Sequence, residues 1–167
     1  MSIKGGKPND RRIVAHLMVP SGAEAVDFYR RALGAEVAYA SELPGGRIVH
    51  AHLRVLDSVL MLTEEHLKEE AQPSSEERFQ VKLKSPKTLG GTTSMLELYV
   101  DDVDAVYRRA VEAGGDPILE PQEMFYGDRY GIMRDPFGHL WALATVVEEL
   151  TPDEVNRRAM AMFAPAH

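Results

Sequence analysis

At 167 residues, 44% of them apolar, the chain has the size of one domain or of two small halves sharing a core. A formal net charge of −7, with no basic stripe to neutralise phosphates, argues against a nucleic-acid or anionic-membrane partner. Zero cysteines exclude disulfides, thiolate zinc sites and cysteine nucleophiles, and no apolar run approaches the ~18–20 residues of a bilayer span.

The chain opens on Met1-Ser2-Ile3-Lys4-Gly5-Gly6, polar and glycine-rich rather than signal-like, so a cytoplasmic protein is expected. Arg12–Val19 predicts a strand with Ile13, Ala15, Leu17 and Val19 on one face and Val14, His16 and Met18 on the other. Ser21 caps a helix from about Ala23 to Leu33, whose buried side carries Phe28, Ala32 and Leu33 and whose stop is Gly34. Strands Glu36–Ser41 and Arg47–Val55 flank the turn Pro44-Gly45-Gly46, and Ser58–Thr63 completes a βαβββ unit. Residues Glu64–Thr93 break the pattern with charges, prolines and glycines and read as a linker, a length that often covers a site. Within it Phe79–Leu83 alternates like an edge strand, Glu64-Glu65 and Glu69-Glu70 read as a solvated acidic face, and Gly90-Gly91-Thr92 is a turn.

The order then repeats. Ser94–Val100 is a strand, Val103–Ala113 a helix stopped by Gly114-Gly115, and Ile118–Gln122, Gly131–Asp135 and Leu140–Val146 are strands. Asp135-Pro136-Phe137-Gly138 turns between the last two, with His139 expected in solvent. Thr151-Pro152-Asp153-Glu154 is a capping box that opens a helix to about Phe163, with Val155, Ala159, Met162 and Phe163 able to pack back. Val19 and Val100, Gly34 and Gly115, and Asp57 and Gly138 share one offset of 81 residues, which makes the halves copies of one unit. The expected fold is α+β: modules at 11–63 and 94–147, a linker at 64–93, and a C-terminal helix and tail at 148–167.

Laid out this way, the chain resembles the glyoxalase/bleomycin-resistance/dioxygenase (vicinal oxygen chelate) superfamily, and most closely its PhnB-like branch. The resemblance runs through Ala23–Tyr29, Gly45–Ala51, Asp57–Leu62, Leu89–Thr92, Phe125–Gly131, Asp135–Trp141 and Thr151–Glu154, so it covers about residues 13–160. It implies paired βαβββ modules forming a U-shaped mixed sheet around a small-molecule cavity, in a protein that is usually dimeric. The superfamily spans metal-dependent enzymes and metal-free drug-sequestering proteins, so fold alone does not choose between them. At the four positions where metal-dependent members carry His, Gln or Glu, this sequence has Val14, Met61, Met95 and Ala142. None supplies a nitrogen or oxygen donor, so neither metal nor cofactor is expected at those positions.

Alternation puts His16 and Met18 beside Val14, and Glu97 and Tyr99 beside Met95, on the cavity side. His16 and Glu97 are partners under the 81-residue offset and form a candidate acid–base pair; a buried ion pair that only satisfies itself is the alternative. Met18, Met61, Met95, Met124 and Met133 are read together, several of them as an adaptable apolar lining of the predicted cavity, with ordinary core packing the alternative for each. Phe125–Tyr130 is placed at its mouth, where Tyr126 stacks on a planar ligand and Arg129 meets a carboxylate, unless Asp128 and Arg129 are surface charges only. Trp141 is expected in the core. Three functions follow: a metal-free small-molecule binding protein, a metal-independent isomerase or lyase using His16 and Glu97, or a metalloenzyme relocated to His50 and His52 with His16, Glu97 or Glu64 as third ligand, unless those two are hydrogen-bonded strand histidines only. The expected partners are a small molecule and a second copy of the chain.

Overall fold

A computed structural model describes residues 13–65 and 83–164. The first module is β1 (Ala15–Val19), α1 (Gly22–Leu33), β2 (Glu36–Leu43), β3 (Arg47–Val55) and β4 (Ser58–Glu64). A one-turn helix α2 (Pro86–Leu89) leads into the second: β5 (Met95–Tyr99), α3 (Val103–Glu112), β6 (Asp116–Glu123), β7 (Asp128–Arg134) and β8 (Leu140–Val146), then α4 (Pro152–Phe163). The two four-stranded mixed sheets have the same order, β1-β4-β3-β2 and β5-β8-β7-β6. In each, the first and last strands of the module pair in parallel and the others antiparallel. Most of the Phe79–Leu83 alternation lies outside the described residues. No helix among the described residues is long and apolar enough to cross a membrane.

Alternation is clearest in β1, where Leu17 and Val19 are buried and His16 is exposed. Leu17, Val19, Leu53, Leu60, Leu62, Trp141 and Leu143 turn toward the helices and join Phe28, Tyr29, Tyr107 and Phe137 in a single core spanning both modules. The modules meet through α1 and α3. Arg31 and Arg109 each donate across that junction, Nη1 to the Ala113 carbonyl and Nε to the Ala32 carbonyl. The deepest tie is Asp135. Its Oδ2 accepts from the Tyr29 hydroxyl at 2.5 Å and from Trp141 Nε1 at 3.1 Å, and its Oδ1 accepts the amides of Phe137 and His139.

Three sequence expectations give way here. The Glu64-Glu65 pair is buried, not solvated: Glu64 accepts from Arg47 Nε and from the first amide of α1, Gly22, and Glu65 accepts from the Ser85 amide and the Thr88 hydroxyl. A run of like charges reads as surface because acids rarely lie inside without donors; the donors here come from residues distant in sequence. His139 is only 8% exposed, its Nε2 on the Met18 carbonyl at 3.0 Å. In α4, Val155 and Ala159 are half-buried as expected, but Met162 and Phe163 are 65% and 73% exposed.

Candidate functional site

Among the described residues, the helices cover one face of each sheet and leave the other open. On the first, β1 and β4 place His16 beside Met61 and Met18 beside Thr63, and β3 adds His52 beside Met61 and His50 beside Thr63. The four side chains His16, Thr63, His50 and His52 are linked: His16 Nε2 lies 2.8 Å from Thr63 Oγ1, His50 Nδ1 lies 2.9 Å from the same oxygen, and His50 Nε2 lies 2.8 Å from His52 Nε2. Tyr39 of β2 packs its ring against both His52 and His50, at centroid distances of 5.3 and 6.3 Å. Burial, with the nearby His52 charge second, holds the His16 imidazole below its ordinary pKa.

On the second sheet, Met95, Glu97 and Tyr99 of β5 lie beside Leu140, Ala142 and Ala144 of β8, and β7 adds Arg134, Ile132 and Tyr130 in the same rows. Tyr99 donates its hydroxyl to Asp128 Oδ2 at 2.8 Å. That hydrogen bond, aided by burial and the Asp128 charge, pushes the phenol up to about 12. Tyr126 packs edge-on against Tyr130 at 6.4 Å, and the Tyr130 hydroxyl points at the Met95 sulfur. Burial raises both of these phenols, followed by the Tyr130, Asp128 and Glu97 charges at Tyr126 and by the Glu97 charge at Tyr130. Where α2 meets the Asp135–Gly138 turn, a cavity of about 540 Å³ is lined by Lys87, Gly90, Thr92, Arg134 and Leu140. It adjoins the Met95 end of this open face, because Leu140 is the β8 neighbour of Met95.

The residues singled out from sequence therefore divide. Val14, His16, Met18 and Met61 belong to the first module, with the last three on its open face, and Met95, Glu97, Tyr99 and Ala142 lie on that of the second. His16 and Glu97 do not touch: His16 interacts with Thr63, His50 and His52, and Glu97 acts on Tyr99, Tyr126 and Tyr130. Arg129 is turned the other way, bidentate on Asp104 of α3 at 2.6 and 2.7 Å. Thr63, Tyr39 and Asp128 were missed as site residues, although Thr63 is two along from Met61 and alternation alone puts it on the same face. At the four positions that the resemblance assigns to metal ligands, Val14, Met61, Met95 and Ala142 offer no hard or borderline donor for a divalent cation. Among the described residues no group of three or more His, Cys, Asp or Glu is placed to hold one elsewhere; in the histidine cluster, His16 Nε2 faces the Thr63 hydroxyl rather than the other two rings.

This architecture has relatives. Residues 12–143 match the family model of the Glyoxalase/Bleomycin resistance protein/Dioxygenase superfamily, and the chain belongs to that superfamily. Uncharacterised proteins of Mycobacterium bovis (Mb0911c) and Mycobacterium tuberculosis (Rv0887c) are each 36% identical over 141 residues, 84% of this chain and 87% or 78% of theirs. Among solved structures, TioX from Micromonospora sp. ML1 superposes with a TM-score of 0.61 at 23% identity, over 82% of this chain and 99% of that one. A glyoxalase-related enzyme from Fulvimarina pelagi gives 0.62 at 19%, over 81% and 87%. At such identities the two structures speak for the fold alone.

Proposed function

We propose that this chain is a PhnB-like, cytoplasmic small-molecule binding protein that works as a homodimer and holds an organic ligand against its open sheet faces without a divalent metal. One observation carries the reading. The superfamily's four ligand positions are apolar here, and the strand registers set Met61 beside His16 and Ala142 beside Glu97. A wall of thioether, methyl and aromatic groups with a few polar atoms suits an apolar ligand with limited hydrogen bonding. The second copy is supported by apolar surface that a monomer leaves in water: Met95, Tyr99 and Val146 on the second sheet, and Met160, Met162 and Phe163 on α4.

The test is thermal denaturation of the full chain against a library of planar heterocycles, run in EDTA and again with zinc, manganese or nickel. A ligand at 100 times its Kd stabilises by about 2.7 kcal/mol, which raises Tm by roughly 5–10 °C for a chain of this size. The shift should persist in EDTA and vanish in Met61→Lys, which puts a charge on the first open face. Stabilisation that appears only with added metal contradicts the proposal.

A further inference from the structure

We propose that His16, Thr63, His50 and His52 form a proton relay that carries one mobile proton and opens onto the first sheet face at His16 Nδ1. The connectivity is continuous: His16 Nε2 to Thr63 Oγ1 at 2.8 Å, Thr63 Oγ1 to His50 Nδ1 at 2.9 Å, His50 Nε2 to His52 Nε2 at 2.8 Å. A neutral imidazole donates through one nitrogen and accepts through the other, and a hydroxyl does both. Two arrangements of hydrogens therefore satisfy every link. In one, His16 donates to Thr63, Thr63 to His50 and His50 to His52. In the other, each of those three bonds runs in reverse. Passing a proton along the chain converts the first into the second.

The bookkeeping of protons closes. A molecule on the open face with an acidic hydrogen, such as an enol, a phenol or a C–H beside a carbonyl, gives that proton to His16 Nδ1. His16 releases its Nε2 proton to Thr63 Oγ1, Thr63 passes its own hydroxyl proton to His50 Nδ1, and His50 passes its Nε2 proton to His52 Nε2. The molecule is left as its anion and the imidazolium charge sits on His52. Reversal returns the proton to the same atom or to a neighbouring one, so the net reaction class is tautomerisation or proton exchange, with no change of oxidation state. One extra proton rests on any of the three rings without breaking a link. A second forces two N–H groups together at 2.8 Å or expels the Thr63 hydroxyl hydrogen from the chain.

The surroundings suit such a unit. His16 is only partly screened from solvent and His52 is 2% exposed, so the chain runs from the sheet surface inward. Among the described residues, the Tyr39 ring of β2 packs on His52 and His50, the exposed Arg54–Glu36 pair lies further along β3 and β2, and Glu65, two residues past Thr63, is held by Ser85 and Thr88. Burial and the His52 charge both oppose a second proton by lowering the affinity of His16.

Histidine ring signals of the 15N-labelled full chain, followed by NMR from about pH 8 to 5, the window of an ordinary imidazole, decide the matter. The three rings should shift together through one shared transition worth one proton. Thr63→Val, which deletes the hydroxyl and keeps the volume, should split His16 from His50 and His52, and Thr63→Ser should restore the shared transition. Independent uptake of two or three protons by the wild-type rings, or a His16 curve unchanged in Thr63→Val, overturns the relay. Should Thr63→Val not fold, the wild-type proton count and the Thr63→Ser curve decide alone. None of these readouts depends on a bound ligand, so the relay and the binding proposal fail separately.

Discussion

Asp135 concentrates more hydrogen bonding than any other side chain of the core described above. Four donors converge on its two oxygens, from both modules, with Tyr29 and Trp141 contributing rings that also pack together at 5.6 Å. Tyr29→Phe removes one donor and leaves the carboxylate satisfied by three, so it should cost about 1–3 kcal/mol. Asp135→Ala orphans four donors in the core and should cost distinctly more, on the order of 3–5 kcal/mol. Urea denaturation of both variants measures this, and equal costs would show that the carboxylate does not organise the junction. Nothing local in the sequence announces this contact: Tyr29 and Asp135 are 106 residues apart, and the tyrosine reads only as one more residue on a helix. His16 was legible, because period-two alternation places it on the open face whatever surrounds it. Its partner was not, since symmetry suggested Glu97 while strand pairing delivered Thr63 and His50.

The lowered imidazole of His16 has a signed consequence. Its folded pKa lies below the unfolded value of about 6.5. Between those two values the unfolded chain binds more protons, so stability falls as pH drops through that window and is fully present above it. His16→Asn should flatten that limb of the stability–pH curve, and an unchanged slope would assign it to another group. Tyr99 works in the opposite range. Its phenol, raised to about 12 chiefly by its hydrogen bond to Asp128, keeps its proton where the unfolded phenol has lost it. Its contribution is therefore complete below about 10 and lost as pH rises toward 12. Absorbance titration of Asp128→Asn should show one phenol ionising earlier than in the wild type.

Helix boundaries were the most legible elements. Ser21 and Thr151 accept from the amides of Glu24 and Glu154 as their positions imply, and Pro152 takes the first helical turn. Glu154 departs from the reciprocal box by reaching forward to Arg157 and Arg158. Two glycines of positive φ, Gly34 and Gly138, carry different constraints. Gly34 ends α1 in the left-handed region at φ 67°, with open space around a hypothetical Cβ. At Gly138, φ is 94° and a Cβ would stand 2.6 Å from the Lys87 amide, which donates to Phe137 and ties α2 to the turn. Gly34→Ala should therefore cost only the conformational term, about 1 kcal/mol. Gly138→Ala should cost more and loosen the wall of the cavity formed by Lys87 and Gly90. Thermal melts rank the two; the reverse order would contradict the steric argument.

At the scale of the whole molecule, the duplication predicted the architecture because each copy carries a full set of period-two and period-3.6 signals. How the copies meet was not legible. A helix face reads as apolar toward its own sheet, and nothing in its spacing says that α1 also packs on α3. For that reason the lining residues expected in one hollow divide between the faces of two sheets, and the proposed dimer is what would enclose them. Light scattering during size exclusion should give twice the 18.6 kDa chain mass, and Met160→Glu with Phe163→Glu, both on exposed α4 positions, tests whether that surface is covered.

Native mass spectrometry of the full-length protein, purified from its own host without tag or chelator, addresses ligand and metal together. The account predicts a dimer carrying an organic adduct that denaturation releases, with the adduct retained when EDTA is added. A stoichiometric transition metal whose removal strips the adduct would contradict it.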